Sequence, residues 1–138
     1  MPMESIIKVF PEHGFHPLVI HFPIALFIFG ALLEVLGRIK KNDLLQKASG
    51  WNLLAGALMT LVTVPTGFVI FFKAGYAWQG IVLTHAILAG VSTVLMLTTA
   101  IWKVRKNPTS VFYSIMLVVS TIAVGATGHF GGQLIYGP

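Results

Sequence analysis

Four apolar runs, at about 17–37, 49–72, 80–102 and 109–129, take up most of a chain of 138 residues. A bilayer core about 30 Å thick needs roughly 20 apolar residues per helix, and each run has that length. Backbone polar groups cannot be left unsatisfied in hydrocarbon, so such runs must cross as helices. The fold class that follows is all-α, an integral membrane four-helix bundle forming a single domain. The links RIKKNDLLQK, KAGYAWQ and KVRKNP are short, so consecutive helices are antiparallel neighbours in an up-down bundle. Charged residues make up only 9% of the chain, against about 25% in soluble domains. Lipid is therefore the expected solvent.

The formal charge is +5, which could point to nucleic acid. The cations instead fall in two short clusters between apolar runs, as topology signals do. The first link carries Arg38, Lys40, Lys41 and Lys47, and the third carries Lys103, Arg105 and Lys106. The N-terminal tail has only Lys8 and the second link only Lys73. This asymmetry predicts a multi-pass protein of the cytoplasmic (inner) membrane, with the first and third links inside and both termini on the outer side. Trp51 and Trp102 then mark the inner boundary, and Tyr76 and Trp78 the outer one. The tail MPMESIIKVFPEHG shows no h-region of a cleavable signal; residues 3–10 are expected to form a short interfacial helix. With no cysteine, disulfides, thiolate clusters and thioether-linked haem are excluded.

Prolines shape the first two spans. A helix starting at Pro23 and ending at Gly37 would reach only about 21 Å, too short to cross. Pro17 is therefore the expected start, with a kink at Pro23, whose ring displaces the carbonyl four residues back. Pro65 is expected to kink the second span, with Thr63 and Thr66 beside it to satisfy freed backbone groups.

The five histidines, His13, His16, His21, His85 and His129, all map to the outer end. His16 stands just before the first helix, His21 one turn into it, His85 near the start of the third and His129 at the end of the fourth. Ionisable side chains inside a span point by default to function. Imidazole is a common metal ligand and an axial ligand of haem. The ordinary alternative is hydrogen bonding across helices or at the interface. On the fourth span Thr121, Gly125, His129 and Gly132 share one face, with Gly128 beside them, and on the second Gly56, Thr60, Thr63 and Gly67 form a similar stripe; small residues of this kind admit a neighbouring helix or a flat macrocycle. Glu34 is the one acid within a span. Arg38 lies at i+4, which predicts an ion pair near the inner interface. No phosphate loop, Ser-His-Asp set or HExxH motif is present.

The segment from His16 to Leu26, HPLVIHFPIAL, resembles the opening signature of a bacterial membrane family, domain of unknown function 2231. A histidine opening the third span and the ending GHFGGQLIYG extend the resemblance over most of the chain. Relatives are linked with cytochromes and other redox modules, which implies electron transfer or haem binding. Family members often carry a further histidine after the C-terminal glycines, where this chain has Tyr136 before Gly137.

The leading expectation is a b-type haem-binding electron-transfer protein or subunit rather than a stand-alone enzyme. Its haem b would be held near the outer face by His21 and His85, with His129 as substitute or hydrogen-bond partner and His16 available to a second site. The alternatives are a zinc or copper site made by His21, His85 and His129, and a structural subunit of a larger respiratory complex. The expected partners are the lipid bilayer and a periplasmic cytochrome or other redox protein, with quinone as an accompanying ligand and nucleic acid excluded.

Overall fold

The computed structural model describes residues 15–137. His13 and the expected interfacial helix over 3–10 lie outside the described residues. Among the described residues five helices follow one another: α1 (His16–Val19), α2 (His21–Ile39), α3 (Asp43–Ala74), α4 (Gly80–Lys106) and α5 (Val111–Tyr136). No strand occurs among the described residues. Among the described residues, four segments are long and apolar enough to cross a bilayer: α1 and α2 together make the first, and α3, α4 and α5 make the others. The chain is an all-α membrane bundle with antiparallel neighbours.

Local chemistry sets the helix ends. Asn42 caps α3, its side chain accepting from Leu45 N at 3.0 Å, and Ser110 caps α5, accepting from Tyr113 N at 3.2 Å. Both satisfy amides that the first turn leaves without partners. Gly75, at φ +65°, ends α3 in the left-handed conformation that glycine adopts without steric penalty. Helix α5 does not stop at His129 but runs to Tyr136. The glycines after His129 do not end it, because glycine is well tolerated within membrane helices.

The two prolines act differently. Pro23 has no N–H to give Val19, and the first span is interrupted at Ile20, one turn ahead of that proline. Helix α3 runs unbroken through Pro65. The hydroxyls of Thr60, Thr63 and Thr66 there donate to the carbonyls of Ala57, Thr60 and Thr63, at 2.6, 3.2 and 2.7 Å.

Helices α2 and α3 make the closest pair, and glycine sets the approach. A Cβ on Gly30 would lie 2.9 Å from Leu53 N, and one on Gly56 would lie 2.9 Å from Phe27 N. Hydrocarbon supplies little hydrophobic drive between membrane helices, so close backbone approach of this kind carries much of the packing. Phe27, Leu53, Met96, Leu117 and Val124 fill the centre.

One end of the bundle holds a buried charge cluster. Glu34, only 1% exposed, pairs with Arg38 Nε at 2.8 Å, as the i+4 spacing predicts. It also meets Lys103, 3% exposed, whose Nζ lies 2.6 Å from Oε2; that ion pair is close but lacks hydrogen-bond alignment. Lys103 Nζ donates to Asn107 Oδ1 at 2.5 Å. Arg38 donates to Ser114 Oγ (3.1 Å) and to the Pro108 carbonyl (2.8 Å), and lies 5.3 Å above the Tyr113 ring. The cluster ties α2, α4 and α5 together next to the basic links.

Candidate functional site

At the other end, the bundle opens around a cavity of about 240 Å³ bordered by α1 and α2, α3, α4 and α5. Its walls are largely apolar: Ile20, Pro23 and Ile24 on one side, Phe68 and Phe71 on another, and Val124 and Ile135 on a third, with Tyr76 and Trp78 also lining it. Ser92, Thr60, Thr63 and Thr127 supply hydroxyls. Among the described residues, no Lys, Arg, Asp or Glu lines the cavity. Two imidazoles do, those of His16 and His85.

The partners of each ring decide what it offers. His85 Nδ1 lies 3.1 Å from the Thr127 carbonyl. A carbonyl only accepts, so Nδ1 carries the proton. His16 Nδ1 lies 2.9 Å from Thr66 Oγ1. The Thr66 hydroxyl has already given its proton to the Thr63 carbonyl, so here too Nδ1–H donates. In a neutral ring with Nδ1 protonated, Nε2 keeps its lone pair. Neither Nε2 has a hydrogen-bond partner among the described residues. Two rings from separate helices thus line one cavity, each oriented by a hydrogen bond at Nδ1, as the non-ligating nitrogen of a metal-bound histidine is.

Glycine seats both rings. A Cβ on Gly67 would lie 3.0 Å from His16 Cε1, and one on Gly131 would lie 2.9 Å from His85 Cε1. The Gly56–Thr60–Thr63–Gly67 stripe therefore faces inward as expected, with Gly67 serving an imidazole rather than a helix. On α5 the inward face is a different one. Gly128 and Gly131 line the cavity, whereas Gly125 and Gly132 have nothing within 4 Å of an added Cβ.

The other two histidines among the described residues lie elsewhere. His21 is exposed, its Nδ1 donating to the Pro17 carbonyl at 2.6 Å. His129 is exposed, with Nε2 3.3 Å from Gln133 Nε2. Neither lines the cavity. The expected His21–His85 pair is not brought together, and no three His, Cys, Asp or Glu residues gather as a metal site among the described residues. Helix geometry supplies the reason. Five residues turn a helix by about 500°, so His16 and His21 point roughly 140° apart; His129 and Gly131 diverge comparably. The same periodicity aligns the hydroxyls between α4 and α5. Two turns separate Ser92 from Thr99 on α4 and Ser120 from Thr127 on α5, so each pair shares a face. Ser92 accordingly reaches Thr127 at 3.2 Å and Thr99 reaches Ser120 at 3.0 Å. Sequence reasoning missed the roles of Thr66, Thr127, Gly67 and Gly131. The face common to His16, Gly67 and Gly131 becomes visible only when the helices are assembled.

The profile of a family described as predicted membrane protein (DUF2231) matches residues 12–137. No curated protein and no solved structure matches the chain.

Proposed function

We propose that this chain, which belongs to the DUF2231 family of predicted membrane proteins, is an electron-transfer protein or subunit that binds haem b in the cavity, where His16 and His85 would hold it. One observation carries the reading: two imidazoles on different helices line one apolar cavity, each with Nδ1 anchored and Nε2 free. That donor set fits haem, which takes two histidines. Among the described residues it falls short of zinc, whose protein sites use three or four ligands.

The chain's contribution is orientation and burial. Thr66 and Thr127 hold the two rings, and Gly67 and Gly131 leave room for them. The apolar walls set the low polarity that tunes a haem's potential, while the haem itself supplies the one-electron chemistry. The reading also includes an orientation: the basic links in the cytoplasm, both termini outside, and the cavity at the outer face, where a redox protein would meet it.

A second reading rests on a separate feature. Phe68 on α3 and Gly90 on α4 line the cavity and are both exposed, so the cavity opens sideways between these helices at membrane depth. On this reading a quinol enters there and hydrogen-bonds through its hydroxyl groups to the free Nε2 atoms.

Visible spectra of purified protein, oxidised and then dithionite-reduced, test the proposal. Sharp reduced α and β bands are expected, lost in His16→Ala and His85→Ala and kept in His21→Ala and His129→Ala. Protein made with ample haem that shows no such bands refutes the haem reading; quinol retained under reducing conditions would then support the second.

A further inference from the structure

We infer that the basic end of the α3/α4 seam binds the headgroup of an anionic phospholipid through Lys47 and Lys106, with Trp51 against its acyl chains. At this end Lys40, Lys41, Lys47, Arg105 and Lys106 are all exposed. None has an ion-pair partner among the described residues, because the ion pairs there engage Arg38 and Lys103 with Glu34. The nearest acid in sequence, Asp43, is exposed and unpaired as well. The buried cluster thus consumes two cations, and five remain on the outside.

Register gives two of them a fixed relation. The two helices adjoin at Gly50, where an added Cβ would make ordinary contact with Val104 Cγ1 at 3.4 Å and Lys103 Cγ at 3.6 Å. Since α3 and α4 are antiparallel, one turn toward the basic end leads from Gly50 to Lys47 and from Lys103 to Lys106. The two lysines therefore stand at one level on facing helices. Trp51, next to Gly50, is 70% exposed, an indole at the depth where tryptophans meet the membrane interface. A phosphodiester suits two ammonium groups held at the headgroup level, and the lipid's chains suit the apolar surface running down from Trp51. Juxtamembrane cations and basic pockets between helix ends attract anionic lipid in this way.

Native mass spectrometry of the full chain, released from detergent after incubation with phosphatidylglycerol or phosphatidylcholine, tests the inference. Phosphatidylglycerol should be retained preferentially. The Lys47→Gln/Lys106→Gln variant should weaken that retention by about fivefold per lysine, while Lys40→Gln/Lys41→Gln leaves it nearly unchanged. All four positions are exposed, and an unaltered elution volume and helical spectrum show that each variant is folded. Equal retention of the two lipids overturns the inference. So does equal weakening in both variants, which would mean diffuse charge rather than a site. Displacement of the lipid by millimolar inorganic phosphate would show that a free anion is the ligand and overturn the lipid assignment.

Discussion

Replacing Glu34 by Gln should destabilise the bundle through Lys103 more than through Arg38. The substitution keeps the side chain's size and an acceptor for Arg38 Nε, now 2.8 Å away. It removes the counter-charge of Lys103, whose side chain is 2% exposed, against 27% for that of Arg38. Leaving one member of a buried pair uncompensated typically costs about 3–5 kcal/mol. The lower end applies here, about 3 kcal/mol, because Lys103 keeps Asn107 Oδ1 as a partner and sits within one turn of the end of α4, close enough to snorkel. Lys103→Met should cost less, about 1–2 kcal/mol, since Glu34 retains Arg38. The double variant should recover most of the Glu34→Gln loss, because a buried ion pair replaced by neutral groups of similar volume is often close to neutral. Reversible unfolding in mixed micelles, titrated with sodium dodecyl sulfate and followed by far-UV circular dichroism, measures all three. A Glu34→Gln loss below about 1 kcal/mol, or a double variant no more stable than Glu34→Gln, would refute the view of Lys103 as a charge held in place by Glu34.

Gly131→Ala and Gly67→Ala should each displace an imidazole, because the new methyl would lie 2.9 or 3.0 Å from Cε1; altered reduced haem bands are expected, whereas Gly125→Ala, with nothing within 4 Å, should be silent. Thr66→Val removes the acceptor of the His16 Nδ1 proton and should cost about 1–3 kcal/mol of stability, readable in the same micelle titration, with a smaller loss if the ring finds water. Because the chain has no cysteine, single cysteines at positions 44 and 76 report orientation directly. Position 76 should react with an impermeant maleimide in intact cells and position 44 should not; the reverse pattern overturns the orientation.

Much of this protein was legible from its sequence because bilayer physics is one-dimensional. Run length decides which segments cross, the short links decide that neighbours are antiparallel, and i+4 spacing was enough to pair Glu34 with Arg38. The collection of the histidines at one end follows from the same reasoning. The interior is another matter. Which histidines share the cavity depends on the rotation of each helix about its axis, and an apolar run in lipid has weak amphipathic pattern to reveal that rotation. Packing settles it: α2 and α3 close on each other at Gly30 and Gly56, and that contact turns His16 inward onto Gly67 and leaves His21 outside. Lys103 illustrates the same limit. In sequence it is one of a cluster of interfacial cations, and only the meeting of α2 with α4 makes it the buried partner of Glu34, because a charge that distant in the chain can be neutralised only by an element the fold brings beside it.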